Sequence, residues 1–190
     1  MGWDATVLGE PAWSPLERAD RFAEFVELTD QLLRRPTSSY TGRYYSANDA
    51  RTYPGCVQQP RIPFAIAATG PRAMKLAATF ADTWVTTGNR AAETHLPSDE
   101  GARVVRAQVA MLEAACAQVG RDPDSIERLV LAGISLDSGL ASAAAFADTI
   151  GRYEAVGVTD FVVHWPRAAG PFAGDVSSFE HIVSRPRGNP

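Results

Sequence analysis

Between Ile62 and Val183 the chain repeats one pattern four times: a short apolar run, a turn of small or polar residues, then a stretch whose apolar residues recur at helical spacing. Strand followed by helix, again and again, leaves few architectures open. Each strand returns through a helical crossover, so the strands lie parallel and the helices cover the sheet. The apolar runs are Ile62 to Ala68, Asp82 to Val85, Leu129 to Ile134 and Thr159 to His164. After them come Ala73, Leu76, Ala77 and Phe80; then Val105, Val109, Leu112, Cys116 and Val119; then Phe146, Ile150, Tyr153 and Val156; and last a short helix near Val176 to Val183. The run IPFAIAA lacks alternation, as a strand covered on both faces would. The fold class expected is therefore α/β, built from parallel strand–helix units.

Local signals mark the ends of these elements. Ser98 reads as a helix cap, with Asp99 and Glu100 in the first turn where the helix dipole favours them. Gly120 and Gly157 close helices, and the third helical stretch is expected over Gly139 to Val156. Ahead of the repeats, Ser14 and Pro15 open a helix that runs to Arg34, with Glu17 completing a capping box. Leu16, Ala19, Ala23, Val26 and Leu33 should form its buried face, and Pro36 stops it. Thr37 to Pro60 is rich in Ser, Thr, Tyr, Gly and Pro. There Thr41 to Tyr45 reads as a short strand entered through a glycine turn, and the rest as an irregular crossing loop. The expected organisation is one domain over 1–184, with this β-excursion at about 37–60, and a flexible tail at 185–190.

Composition removes several functions. The net charge is −4, Lys75 is the only lysine, and the arginines are scattered, so no nucleic-acid partner is expected. Cys56 and Cys116 lack CxxC spacing, which argues against a zinc cluster or a disulfide framework and reads as free thiols in a reducing compartment. There is no apolar run of about eighteen residues to span a membrane. Met1 to Glu10 has neither the basic nor the apolar part of a secretory signal, so the cytoplasm is the expected location.

One turn has the parts of an anion site. At Ala68-Thr69-Gly70-Pro71-Arg72 a strand ends in small residues and enters a helix at once. Such a junction presents unpaired N–H groups together with the positive end of the helix dipole. Ala68 and Gly70 let a phosphate approach the backbone, Thr69 offers a hydroxyl, Pro71 presets the first helical φ, and Arg72 adds charge at the rim. A plain β–α turn, with glycine for geometry, reads the same residues equally well. Thr86, Thr87 and Gly88 follow the next strand and face the same end of the sheet, as pocket lining or as an ordinary polar loop. His164 and Trp165 close the last strand there; His164 can touch a ligand or serve as a hydrogen-bonded structural histidine. His95 and His181 read as solvated, and Asp82 as orienting a strand start. No GxSxG, HExxH, P-loop or GxGxxG pattern is present.

A series of segments resembles the luciferase-like monooxygenases. They are Gly2-Trp3-Asp4, Leu16 to Phe22, Gly42 to Tyr45, Val57 to Pro63, Thr69 to Arg72, Leu76 to Ala78 and Ala81 to Trp84, followed by Gly120 to Pro123 and Gly157 to Val163. The resemblance lies in their order and spacing and covers nearly the whole chain. It implies a (β/α)8 TIM barrel and an oxidoreductase or monooxygenase that uses FMN or coenzyme F420 on a small-molecule substrate. Ile62 to Gly70 then corresponds to the fifth barrel strand and its phosphate-binding turn, with Ala68, Thr69 and Gly70 at the phosphate, Arg72 beside them, and Thr87 and Gly88 near the same cofactor. The resemblance supplies no catalytic residue. It places the Gly-Trp-acid run just after the fourth strand, so these residues match about the second half of a barrel, and a truncated or N-terminally misassigned product is expected. Half a barrel leaves two strand edges open, which implies self-association or a partner half barrel. The alternative is a non-catalytic flavin-binding or assembly protein.

Overall fold

The computed structural model describes residues 6, 7, 9–88, 95–170 and 172–184. It forms two compact units, Met1–Phe64 and Ala65–Pro190.

The first unit is a helix and a hairpin. Helix α1 (Pro15–Arg34) starts where expected: the Ser14 hydroxyl oxygen accepts the Glu17 N–H at 3.1 Å, and Pro15 takes the first helical position. The Glu17 carboxylate lies 3.5 Å from the Arg21 guanidinium, one turn along the helix. Val26 and Leu28 are buried, but Leu16 is 61% exposed and Ala19, Ala23 and Leu33 are only half-buried. The expected apolar stripe is therefore only partly covered, because a two-stranded hairpin is too small to bury all of it.

Strands β1 (Thr37–Thr41) and β2 (Ser46–Arg51) pair antiparallel, with Thr41 opposite Ser46. Residues 42–45 are thus the hairpin turn and not the expected strand. The cause lies about twenty residues upstream. The Glu24 carboxylate accepts the N–H groups of Arg43 at 3.1 Å, Tyr44 at 2.9 Å and Tyr45 at 2.7 Å, and so winds the turn about itself. Burial pushes the Glu24 carboxyl up, but these three donors and Arg21 together hold it below the usual glutamate value. Gly42 is required here: a Cβ would run into Glu24 Oε1 and stand 2.6 Å from the Tyr40 ring. Arg61 is buried, donates to Asp30 at 2.7 Å and to the Ile62 carbonyl at 2.8 Å, and lies 3.6 Å from the centre of the Phe64 ring.

The second unit carries the strand–helix repeat. Its elements are β3 (Ala65–Ala67), α2 (Pro71–Phe80), β4 (Thr83–Thr86), α3 (Ser98–Val119), a 3-10 turn (Pro123–Ser125), β5 (Glu127–Leu131), α4 (Ala143–Glu154), β6 (Asp160–Val162) and α5 (Val176–Val183). The four strands lie in the order β3-β4-β5-β6, every neighbouring pair parallel. Among the described residues β3 and β6 are the outer strands.

The sheet has two unlike faces. Ile66, Trp84, Thr86, Arg128 and Val130 are buried. Their neighbours Ala65, Ala67 and Val162 are exposed, and Thr83, Val85, Leu129 and Leu131 are half-buried. Phe161 packs against Phe146 and Tyr153 of α4, which marks the buried side as the helix side. IPFAIAA is therefore not a strand covered on both faces. Only Ala65–Ala67 pairs as a strand, and one of its faces is open.

Several helix ends differ from the sequence reading. Ser98 is the first helical residue, preceded by Pro97, and makes no side-chain cap. Gly120 closes α3 in the left-handed region at φ +68°, as expected, but Val119 is exposed. Helix α4 starts at Ala143 and not at Gly139, because the Ser142 hydroxyl caps it and Gly139, at φ +69°, is folded against Thr149. The expected flexible tail at 185–190, and residues 89–94 of the expected polar loop, lie outside the described residues. Among those described, no helix is long and apolar enough to cross a membrane.

Candidate functional site

Parallel α/β sheets place ligands beyond the carboxyl ends of their strands, where the βα turns converge. The turn after β3 is fastened firmly on its strand side. The Ala68 N–H donates to the Val85 carbonyl at 3.2 Å, and the Ala68 carbonyl accepts the indole N–H of the fully buried Trp84 at 2.9 Å. The Ala68 side chain is itself buried, so this residue anchors the turn and leaves its backbone groups committed.

Past Ala68 the turn opens. Thr69 is exposed, and Gly70 is the N-cap of α2 at φ −117°, ψ 162°. The Met74 N–H returns to the Gly70 carbonyl at 2.9 Å, while no side chain caps this end and its first turn holds no acidic residue. Gly70 has ordinary extended angles that any residue adopts. A Cβ added to it would meet nothing within 4 Å. Among the described residues, neither backbone geometry nor packing calls for glycine here, at a helix end without a side-chain cap. Arg72 is exposed in the same first turn.

The turn after β4 is different. The buried Thr86 hydroxyl donates to Gln108 Oε1 at 2.7 Å and accepts the Gly88 N–H at 3.0 Å; Gln108 Nε2 donates to the Gly88 carbonyl at 3.3 Å. This ring of bonds fixes the start of the loop. Gly88 needs its glycine: φ is +85°, and a Cβ would stand 2.7 Å from Leu136. Thr87 is half-buried. Gln108 escaped the sequence reading, although a polar residue at the spacing of Val105, Val109 and Leu112 signals a buried amide with a partner.

A cavity of about 440 Å³ lies at the carboxyl ends of β5 and β6. His164 forms part of its wall, stacked on Phe172 with ring centres 3.8 Å apart. Its Nε2 is shut off from solvent, from the cavity as well, and has no hydrogen-bond partner among the described residues. Asp137 and Ser138 come from the β5–α4 loop, and Asp175 and Ser178 from the start of α5. Asp137 holds the Gly139 N–H at 3.1 Å. Asp175 caps α5, accepting the Ser178 N–H at 2.6 Å; this serine's hydroxyl and N–H, together with Ser177, keep the carboxyl below the usual aspartate value. Behind the wall, burial and then the Asp137 charge push the Tyr153 hydroxyl up to about 12.

His95 lines the cavity while remaining exposed, and Trp165 is 58% exposed with its ring against Phe179. His181 lies exposed on α5. The Asp82 carbonyl accepts the Glu127 N–H at 3.0 Å. Asp137, Ser138, Phe172, Asp175 and Ser178 were not singled out in the sequence. Their one signal was position, in segments that follow strands. Ala68, Thr69, Gly70 and Arg72 share one turn, and Thr87 and Gly88 the neighbouring one, both at the carboxyl end of the sheet that also carries the cavity.

Comparison with known proteins agrees with this architecture. An F420-dependent glucose-6-phosphate dehydrogenase from Microbacterium testaceum is 33% identical over 79 residues, which are 42% of this chain and 23% of the relative. The F420-dependent tetrahydromethanopterin reductase of Methanopyrus kandleri superposes with a TM-score of 0.64 at 16% identity, covering 92% of this chain and 63% of that one. An F420-dependent secondary alcohol dehydrogenase, solved with an F420–acetone adduct, gives 0.62 at 16% identity over 84% of this chain and 59% of its own. The chain thus spans less than two thirds of each of these proteins. The profile of the luciferase-like monooxygenases matches residues 2–160, and the chain belongs to that family.

Proposed function

We propose that this chain carries the cofactor-phosphate site of an oxidoreductase that uses coenzyme F420 or FMN. The observation that carries the reading is Gly70, a glycine that neither its own φ nor any neighbouring atom requires, at the uncapped start of α2. The residues fit a phosphate. The Thr69 hydroxyl and the backbone N–H groups of Gly70 and Ala73 would meet its oxygens, and Arg72 brings positive charge. Ala68 would hold the strand end in place, Gly88 would shape the adjacent loop, and Thr87 would border the cofactor. The F420-dependent relatives support the choice of cofactor. When bound, such a cofactor supplies the hydride or oxygen chemistry; the protein's part is binding and orientation.

The open face of the sheet supports a second element of the proposal. Ala65, Ala67 and Val162 lie exposed on the side away from the helices, and β3 and β6 have unshared edges among the described residues. A barrel wall requires partners for both, so the sheet would be completed by strands from elsewhere in a longer chain, by a second copy or by a partner half barrel. Without that complement the chain would bind cofactor and not turn it over.

The test compares FMN with riboflavin, which share the ring and differ by the phosphate. Fluorescence titration should show FMN bound at least about tenfold more tightly, as one or two charge-assisted hydrogen bonds of about 1.5–3 kcal/mol imply. Equal affinity would remove the phosphate from the turn. FMN binding without substrate turnover would favour the non-catalytic reading.

A further inference from the structure

We infer that the open face of the β3–β6 sheet takes strands of a different sequence that bring an arginine or lysine against Asp160, and not a second copy of this chain. The inference rests on the reading of the sheet as half of a barrel wall.

Register fixes what this face presents. Ala67, Val85, Leu129 and Asp160 lie side by side across the four strands. Glu127 stands one row nearer the amino ends, opposite Thr83, and Leu131 pairs with Val162 in the row beyond. Alternation puts these residues on the open side. The residues between them, Ile66, Trp84, Arg128 and Val130, are buried, and Phe161 packs on α4. Asp160 and Glu127 are exposed. Their printed partners are hydroxyls: Glu127 Oε2 accepts from Thr83 at 2.9 Å, and Asp160 Oδ2 from Thr159 at 2.8 Å. The one cation in the four strands is Arg128, and it lies on the helix side beside Glu113 and Asp124.

Covering the face changes what these charges need. A carboxylate in an apolar row, closed off from water, is stable only with a cation beside it. Four strands are half of eight, so a second copy would close the barrel about a two-fold axis along its length, with β6 of each copy beside β3 of the other. Rotation about that axis keeps every residue at its own height. Asp160 would then share its layer with Asp160 of the second copy, and Glu127 with Glu127. Four carboxylates would face one interior without an arginine or lysine, an arrangement in which like charges oppose each other's ionisation. Strands with a basic residue at that height meet the same face with an ion pair, and the apolar neighbours of Asp160 pack around it. The relatives have room for such strands: this chain covers 63% and 59% of the two superposed F420-dependent proteins, which leaves more than a third of each.

Two variants of the full chain supply the test, read by light scattering after size exclusion and by native mass spectrometry. Glu127→Lys/Asp160→Lys stands in for a basic half barrel, and Glu127→Leu/Asp160→Leu presents the face without charge. At neutral pH and low salt, the lysine variant mixed with the unaltered chain should form a one-to-one heterodimer, at least about a hundredfold tighter than either protein with itself. The leucine variant should pair with itself. A homodimer of the unaltered chain as tight as the heterodimer would overturn the inference. A leucine-variant homodimer without any heterodimer would overturn it too, while leaving the half-barrel reading in place. Monomers throughout would remove the half-barrel reading and the inference with it. If circular dichroism shows that the double lysine variant does not fold, Asp160→Lys alone takes its place.

Discussion

Replacing Gly70 by aspartate should move stability and cofactor affinity in opposite directions. The backbone at Gly70, φ −117° and ψ 162°, is already that of a capping residue, and a side chain there meets nothing within 4 Å. A carboxylate at this position can accept the Ala73 N–H and lie against the positive end of α2. A better cap is worth a few tenths of a kcal/mol over glycine. The dipole adds about 0.3–1 kcal/mol, and the restricted unfolded chain about 0.4–1 kcal/mol. The gain comes to about 1–2 kcal/mol, or roughly 2–8 °C in Tm for a domain of this size. The same carboxylate takes the place of the phosphate and repels it, so FMN or F420 affinity should fall by at least about tenfold. Calorimetry of the cofactor-free protein and fluorescence titration measure the two effects. A raised Tm with unchanged affinity would refute the phosphate site. A lowered Tm would refute the geometry given for the turn.

Four other perturbations test the packing. Gly42→Ala forces Glu24 and Tyr40 apart and should cost about 1–3 kcal/mol in urea unfolding. Because the Glu24 carboxyl is depressed in the folded state, its support of the hairpin is present above the usual glutamate range and is lost as pH falls through the lower folded value; amide exchange at Arg43, Tyr44 and Tyr45 should accelerate in acid. Gln108→Ala strands the Thr86 hydroxyl and the Gly88 carbonyl and should destabilise by about 2 kcal/mol in the same urea assay. The Tyr153 hydroxyl is raised from its ordinary 10.0 to about 12, so folding stability should decline across that interval as the unfolded chain alone loses the proton; ultraviolet titration of the protein against its Tyr153→Phe variant should place this ionisation toward the top of the interval.

What could be read in advance followed from local chemistry. Ser14-Pro15 and the stop at Pro36 place α1 to the residue, and the alternation of runs gives a parallel sheet in chain order. Errors came where a distant group intervened. The hairpin turn is wound by Glu24 from another element. Gly139 lies outside α4 because its φ of +69° is left-handed and its N–H is held by Asp137 Oδ1. The Gly70 turn was visible because one short segment contains it. The cavity was not, since Asp137 lies in the β5–α4 loop and His164 and Phe172 in the β6–α5 loop, which meet only through strand order, and a stack between two rings eight residues apart in a loop leaves no periodic pattern in the chain.

Backbone amides at the start of α2 either grip an anion or they do not, and inorganic phosphate titrated into the 15N-labelled protein asks that question without a cofactor or turnover. The amide signals of Thr69, Gly70, Arg72 and Ala73 should shift together and saturate, and Gly70→Asp should abolish the response. Signals that stay still there, or shifts confined to other parts of the chain, would contradict the assignment of this turn as a phosphate site.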